Sequence, residues 1–302
     1  MRIVFMGTPE FAVPSLRRLC EAGHTVCGVF TQPDKPRSRR KVSFSPVKEY
    51  AITQSIPVYQ PAKMRDGEAL ALLRQLQPEL LVVAAFGRIL PNEILTLPKY
   101  GAINVHSSIL PAYRGAAPIQ WAILDGLDET GVTIMDMVQE LDAGDILSVV
   151  KTAIGPQETA PELTARLAEL GAEALVQVVE QIAAGTVQRT PQGDAFTYAP
   201  MLRREMSPVD WTRSSRQILD QIRALLPWPC ASAELGGSRL KLYSAQAGTE
   251  TSAAAGTILQ ANKHGIEVAC GDGRSVLLTE VQAEGGRRMS AAAYLAGHPI
   301  RV

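Results

Sequence analysis

Short apolar runs alternate with amphipathic stretches along the chain as far as residue 154. The short runs have the length and continuous apolar character of buried strands, and they predict strands over 2–7, 24–32, 57–60, 80–86, 102–108, 132–137 and 145–154. Apolar residues at helical spacing predict helices over 11–22, 45–55, 66–76 and 161–184. Repeated strand–helix units predict an α/β fold with a Rossmann-like, doubly wound, mostly parallel sheet.

The pattern changes after residue 187. The stretch 188–206 has no periodicity and contains Pro, Gly and Thr, as linkers do. A helical pattern over 212–225 and the turn-rich PWP precede five short apolar runs separated by Gly-containing turns, and a helix closes the chain over 290–296. Five short strands with a helix predict a small C-terminal β-barrel of the OB-like kind. We therefore expect a first domain over 1–187, a linker over 188–206 and an OB-like domain over 207–302.

Composition excludes several classes of protein. Hydrophobic residues make up 46% and charged residues 20% of the 302 residues, which excludes wholesale disorder. Thirty basic residues balance thirty acidic ones, so the chain is not a polycation that coats nucleic acid. The balance fails locally in 34–48, where six basic residues accompany Asp34 alone.

The cysteines and histidines are too scattered to predict a metal site. None of the four cysteines lies in a C-x-x-C pair, and the four histidines have no metal-ligand spacing. The longest strongly apolar run, 80–86, is too short to span a bilayer. With no secretory signal pattern at its start, the chain is expected to be cytoplasmic and without contact to a membrane. We also expect it to be a monomer.

The first strand ends in GTPEFA, at the edge of the sheet where doubly wound folds bind ligands. This turn lacks the G-x-G-x-x-G spacing of dinucleotide-binding proteins. A dinucleotide oxidoreductase is therefore disfavoured, and the alternative is a tight strand-to-helix turn.

Candidate chemistry is concentrated in NVHSSILPAYRGAAPIQ over 104–120. Asn104 and His106 are two residues apart on a predicted strand, so their side chains share a face. An amide can donate a hydrogen bond to an oxyanion, and an imidazole can move a proton near neutral pH. The alternative is structural: Asn104 caps the turn and His106 binds a backbone carbonyl.

A second segment, QELDAGDI over 139–146, places Asp142 and Asp145 on either side of Gly144. A carboxylate here can orient His106 or relay a proton, while the alternative is a loop stabilised by Asp turn hydrogen bonds. Asn, His and Asp without a paired Cys or Ser nucleophile favour direct transfer through a tetrahedral intermediate over a covalent acyl-enzyme.

Together these motifs resemble the folate-dependent formyltransferases. The resemblance rests on N-x-H eight residues ahead of R-G, the SILP turn, RGAAPIQ, TGVTIM and LDAGDI. GTPEFA, FTQPDKP, SPVK, PWP and GTIL narrow it to the branch of the family that acts on methionyl-tRNA. It extends from residue 2 to about residue 281.

The resemblance implies transfer of the formyl group of 10-formyltetrahydrofolate to the α-amino group of methionyl initiator tRNA, for translation initiation. The family's catalytic residues correspond to Asn104, His106 and Asp142. Its folate-binding segment corresponds to Ser108, Ile109, Leu110 and Pro111, and we expect Phe86, Gly87 and Ile89 in the wall of the folate pocket, although Phe86 also suits the core.

The resemblance also implies tRNA contacts in the basic loop, in the linker and in the second domain. The expected residues are Arg37, Arg39, Arg40, Lys41, Arg203, Arg204, Lys241 and Lys263. The family often has a glycine-rich G-R-G in the loop, where this chain reads KPRSRRKVSF. The alternative for each residue is an ordinary solvated surface position.

Three other functions remain open on the sequence. One is formyl transfer to a different acceptor, a nucleotide sugar or glycinamide ribonucleotide. The second is an RNA-binding module with a degenerate site, which the presence of Asn104, His106 and Asp142 argues against. The third is the dinucleotide oxidoreductase.

Overall fold

A computed structural model describes residues 1–36 and 42–302 of the chain. The chain divides into two compact units, each built from three segments. The first unit comprises Met1–Gly115, Thr130–Thr152 and Thr164–Tyr198, and the second comprises Ala116–Glu129, Ala153–Leu163 and Ala199–Val302.

The helices and strands follow one another in this order. As far as residue 184 they are β1 (Arg2–Gly7), α1 (Val13–Glu21), β2 (Thr25–Phe30), β3 (Lys35–Pro36), β4 (Val42–Ser43), α2 (Pro46–Thr53), β5 (Val58–Tyr59), α3 (Glu68–Leu76), β6 (Leu80–Ala84), α4 (Asn92–Leu95), β7 (Ala102–His106), β8 (Arg114–Gly115), α5 (Pro118–Leu124), β9 (Glu129–Asp136), β10 (Ile146–Ala153) and α6 (Ala160–Ala184). The remainder are β11 (Tyr198–Ala199), α7 (Ser215–Ala224), β12 (Ser232–Leu235), β13 (Ser238–Glu250), β14 (Ile258–Asn262), β15 (Gly265–Ala269), β16 (Arg274–Ala283), β17 (Met289–Ser290) and α8 (Ala291–Gly297).

The main sheet of the first unit has seven strands in the order β10-β9-β7-β6-β1-β2-β5. Strands β5, β2, β1, β6 and β7 pair in parallel, and β9 is antiparallel to β7. The expected mostly parallel α/β sheet is thus confirmed. Strand β6 is buried at all five positions, which explains why its sequence is apolar without alternation.

Local sequence signals determine where helices begin and how closely they pack on this sheet. At the start of α2 the Ser45 side chain accepts a hydrogen bond from the Lys48 N–H, and Pro46 occupies the first turn. Helix α6 packs closely against β7 at Gly171, because a Cβ there would lie 2.9 Å from Cγ1 of Val105. The strand that carries Asn104 and His106 is therefore held in place by α6, which packs on one face of it.

The second unit contains an antiparallel curled sheet in the order β12-β13-β16-β15-β14, with β17 paired to β16. It is the half-barrel expected from the five short apolar runs. Helix α7 begins with a capping box formed by Ser214 and Gln217, and its buried Ile218 and Ile222 join the core of the sheet. Irregularities in the register of β13 against β16 let this long strand curl.

The structure contains elements that the sequence pattern did not predict. They include the short helices α4 and α5 and the extension of β13 from the predicted 245 to Glu250.

No helix of the described residues is long and apolar enough to cross a membrane.

Candidate active site

Strand β7 carries the predicted amide and imidazole. It lies between β6 and β9, where Asn104 is opposite Val83 and Met135, and His106 is opposite Thr133. His106 is buried, with 6% of its surface exposed, whereas Asn104 is half-buried. Among the described residues the Asn104 amide makes no hydrogen bond, so its donor is available to an incoming oxygen.

His106 has two polar neighbours, one at each ring nitrogen. Its Nε2 lies 3.0 Å from the carbonyl oxygen of Tyr113, and its Nδ1 lies 3.7 Å from Oδ2 of Asp142. A carbonyl only accepts hydrogen bonds, so Nε2 must carry a proton. Nδ1 is therefore the ring nitrogen that faces Asp142.

The Asp142 carboxylate is held by the chain that follows the SILP turn. Its Oδ2 accepts a hydrogen bond from the backbone N–H of Gly115 at 2.8 Å, and its side chain is largely buried. Asp142 itself has a φ of 49°, in the left-handed region that few residues other than glycine adopt. The loop between β9 and β10 thus turns sharply to present this carboxylate to His106.

Gly144 makes that turn possible. A Cβ at this position would lie 1.9 Å from the carbonyl oxygen of Asp136, at the end of β9. The Asp136 N–H in turn donates to the carbonyl of Asp145 at 2.9 Å. Glycine is required here because the two sides of the hairpin are in backbone contact.

The predicted folate segment 108–111 follows β7 directly and is tied to β9. The Thr133 hydroxyl donates to the Ser108 carbonyl at 2.7 Å and accepts from the Leu110 N–H at 3.1 Å. The Ser108 hydroxyl donates to the carbonyl of Ala112 at 2.7 Å. The N–H groups of Ala112 and Thr197 donate to the carbonyls of Ile109 and Pro111, so four backbone groups of the segment have partners within the fold. Ser108 and Leu110 are buried, whereas Ile109 and Pro111 are partly exposed.

The residues after β6 have different environments. Phe86 is 2% exposed and belongs to the hydrophobic core, as the alternative interpretation has it. Gly87 has a φ of 72°, and a Cβ there would lie 2.5 Å from Nε2 of Gln32. Ile89 is 69% exposed. Their role in a pocket wall stays a prediction.

Comparison with known proteins places the whole chain in one family. Residues 1–179 match the formyl transferase family, and residues 201–299 match the C-terminal domain of formyl transferases. The methionyl-tRNA formyltransferase of Pelotomaculum thermopropionicum is 48% identical over 303 residues, which cover 99% of this chain and 96% of that protein. The chain belongs to the methionyl-tRNA formyltransferase family.

Two solved structures share the fold of this methionyl-tRNA formyltransferase family member. The N-formyltransferase from Helicobacter canadensis, in complex with folinic acid and dTDP-3-aminofucose, has a TM-score of 0.69 at 18% identity and covers 91% of this chain and 98% of its own. HypX from Aquifex aeolicus, in complex with tetrahydrofolic acid, has a TM-score of 0.67 at 20% identity. That match covers 98% of this chain but only 47% of the length of HypX. At these identities the likeness shows the fold alone.

Two of the residues expected to contact tRNA line one groove in the second unit of this formyltransferase. Arg204 and Lys241 face a groove of about 530 Å³ together with Arg239 and with Trp228, whose side chain is half exposed. Arg203 and Lys263 are exposed but do not line it. Arg239 was not among the residues predicted from the sequence, although PWP marks the turn that carries Trp228.

The predicted basic loop is described only at its two ends. Arg37, Arg39, Arg40 and Lys41 lie outside the described residues. Residues at these two ends contact each other: Nζ of Lys48 is 2.5 Å from Oδ2 of Asp34, and the Gln60 amide forms hydrogen bonds with both side chains. Burial raises the pKa of Asp34, but the hydrogen bonds from Lys48 and Gln60 outweigh it and lower the pKa overall. The positive charge of Lys48 is thus compensated by the Asp34 carboxylate.

The structure also brings to the site two residues that had no role predicted from the sequence. Arg114 is buried beside the loop that carries Asp142, and Gln192 donates hydrogen bonds to two carbonyls of that loop. Arg114 stands within the RGAAPIQ motif, whereas Gln192 lies in the predicted linker without any sequence signal.

Among the described residues, no three His, Cys, Asp or Glu side chains come together as metal ligands would.

Proposed function

We propose that this protein transfers the formyl group of 10-formyltetrahydrofolate to the α-amino group of methionyl initiator tRNA. The observation that carries the proposal is the 48% identity to a methionyl-tRNA formyltransferase over nearly the full length of both chains. The juxtaposition of His106 and Asp142 beside the half-buried Asn104 supports the same chemistry.

The proposed reaction needs no covalent enzyme intermediate. The lone pair of the neutral methionyl amine attacks the formyl carbon, and the carbonyl electrons move to its oxygen. Collapse of this tetrahedral intermediate breaks the bond to the folate nitrogen, which leaves with the electron pair and takes up a proton. The amine gives up one proton. An α-amino group has a pKa of about 7.7–8.0, so the neutral nucleophile is accessible near neutral pH.

Asn104 and His106 would stabilise the charge that develops on the formyl oxygen. The free amide of Asn104 supplies a neutral donor. Protonated His106 supplies a second donor through Nδ1, since its Nε2–H is engaged by the Tyr113 carbonyl. Removal of one preorganised donor of this kind typically costs about 10²–10³ in rate.

Asp142 would hold the proton on His106 or receive the proton released by the amine. Among the described residues, the Gly115 N–H is the one hydrogen-bond donor to this carboxylate and binds Oδ2, so Oδ1 can accept a proton. At 3.7 Å from Nδ1, the carboxylate is beyond direct hydrogen-bond distance of the imidazole and close enough to act on it through its charge.

The turn over Ser108–Pro111 would bind the folate. The bonds to Thr133 fix its shape before the ligand arrives, which reduces the entropy lost on binding. The remaining backbone groups and the partly exposed Ile109 and Pro111 would contact the pterin.

The tRNA would be bound by the loop over 34–48 and by basic residues of the second unit. The groove that Arg204, Arg239 and Lys241 line fits a phosphate backbone, and Trp228 offers an aromatic face to a base. Arg203, Lys263 and the loop residues would add phosphate contacts. With tRNA as substrate, the protein would act in the cytoplasm as a monomer, with catalysis in 1–187 and tRNA binding in 207–302.

Formyl transfer to purified, charged tRNA tests the proposal. Radiolabelled 10-formyltetrahydrofolate is incubated with the protein and with methionyl initiator tRNA, methionyl elongator tRNA, a nucleotide amino sugar or glycinamide ribonucleotide. We expect label on the initiator tRNA and little on the other acceptors. Preferential label on a small amine would contradict the proposal and identify a different formyltransferase.

A further inference from the structure

A short part of the predicted linker, residues 189–192, crosses the loop that carries Asp142; we refer to it as the crossing segment. Nε of Arg189 donates to Asp136 at the end of β9 at 2.7 Å. Thr190 exchanges two backbone hydrogen bonds with Ile146 at the start of β10, at 2.8 and 2.9 Å. The crossing segment is therefore attached to both sides of the loop.

Between these attachments, the Gln192 amide binds the loop itself. Its Nε2 donates to the carbonyl oxygen of Asp142 at 2.8 Å and to that of Gly144 at 2.7 Å. Its Oε1 accepts from Nε of Arg114 at 3.0 Å. The two carbonyls only accept and the guanidinium only donates, so an amide satisfies all three partners and a carboxylate of the same shape does not.

Arg114, which donates to the Gln192 amide oxygen, is itself held in place by several contacts. It is 3% exposed, its guanidinium carbon lies 4.3 Å from the centre of the Phe196 ring, and its Nη1 lies 3.5 Å from Glu140. Its backbone N–H donates to the Thr197 carbonyl at 2.9 Å. A guanidinium held on several sides can orient the oxygen of Gln192 and hence the nitrogen that binds the loop.

The loop needs this restraint, since Asp142 adopts a left-handed φ of 49° and Gly144, two residues further on, is in close contact with the Asp136 backbone. Anchoring the carbonyls of both residues fixes the peptide planes on either side of this turn. The direction of the Asp142 side chain toward His106 follows from those planes. We propose that Gln192 is a positioning residue that fixes the Asp142 carboxylate for formyl transfer; this inference rests on the proposed function.

Gln192→Glu tests the inference, because it keeps the size of the side chain but removes both donors. We expect kcat to fall by about 10- to 100-fold, the scale of a small misplacement of a catalytic group. The KM for tRNA is expected to stay near that of the unaltered protein. Gln188→Glu is the matched control: it makes the same change on an exposed residue in the predicted linker that does not bind the loop.

A double variant separates positioning from a general structural effect. In an Asp142→Asn background, measured with excess enzyme in single turnover, Gln192→Glu should cause no further loss of rate. Multiplied losses in the double variant, or a normal kcat for Gln192→Glu alone, would overturn the inference. A normal rate for Asp142→Asn would overturn it together with the role of Asp142. Failure of the unaltered protein to formylate methionyl-tRNA would contradict the proposed function itself.

Discussion

His106 and Asp142 are positioned by the same short stretch of backbone. Nε2 of His106 lies 3.0 Å from the Tyr113 carbonyl, and Oδ2 of Asp142 accepts from the Gly115 N–H at 2.8 Å. The residues from Tyr113 to Gly115 thus hold both side chains from one side, and the 3.7 Å between imidazole and carboxylate does not come from a direct bond between them. The R-G of the sequence motif lies at the centre of the site for this reason.

His106→Ala should lower kcat by about 10² or more and leave tRNA binding nearly intact, because the role proposed for the imidazole is on the reacting group and its side chain is buried. Steady-state formylation and tRNA titration measure the two quantities. His264→Ala, on an exposed turn of the second unit, is the control and should retain full kcat. If tRNA binding or thermal stability collapses in His106→Ala, the residue has a structural role.

Gly144→Ala should destabilise the first unit by about 1–3 kcal/mol, since the new Cβ would meet the Asp136 carbonyl at 1.9 Å and the backbone must move. Formyl transfer should fall as well, because the displaced loop carries Asp142. Gly297→Ala is the matched control, with no atom within 4 Å of the added methyl group. Urea unfolding of the two variants makes the comparison. Equal stability would show that the loop adjusts without cost.

Much of the first unit could be predicted because its central strands are buried on both faces. Runs such as LLVVA need no partner residues to be recognised. Helix α5 was missed since only seven residues form it, and the end of β13 was missed because Gln246–Glu250 is largely exposed and has no apolar alternation. Propensity and pattern cannot detect elements that depend on tertiary packing.

The candidate site was predictable to the extent that its residues lie in dense motifs. Asn104 and His106 share a strand face, and Asp142 stands two residues before a glycine in a turn-rich loop, so each carries a local signal. Gln192 carries none, because an amide between Pro191 and Gly193 is typical of any loop. Its significance arises only from contacts to carbonyls about fifty positions away in sequence.

Stability should fall as the pH rises from about 9 to about 11, in part because of Cys270. Burial, with a smaller contribution from Asp272, raises the pKa of this thiol from its ordinary 9.0 to about 11. Between these pH values the thiol is deprotonated in the unfolded chain but still protonated in the folded chain. Because the unfolded state binds fewer protons, the free energy of unfolding decreases as the pH rises. The contribution is fully present below pH 9 and amounts to about 2–3 kcal/mol at most.

Chemical unfolding across this pH range measures the effect. Cys270→Ala should flatten the curve of unfolding free energy against pH relative to the unaltered protein. Cys20→Ala, which removes a thiol that is only half-buried, should flatten it less. Parallel curves for Cys270→Ala and the unaltered protein would show that this thiol does not contribute.

Arg239→Ala should weaken tRNA binding and reduce the slope of log K against log salt by about 1, as expected for loss of one phosphate contact. Arg239 lines the same groove as Arg204 and Lys241 and is exposed. The effect on kcat at saturating tRNA should be much smaller than the effect on affinity. Arg74→Ala, which removes the same side chain from an exposed position on α3, is the control. An unchanged salt slope in Arg239→Ala, with binding as tight as in Arg74→Ala, would remove the groove from the tRNA interface.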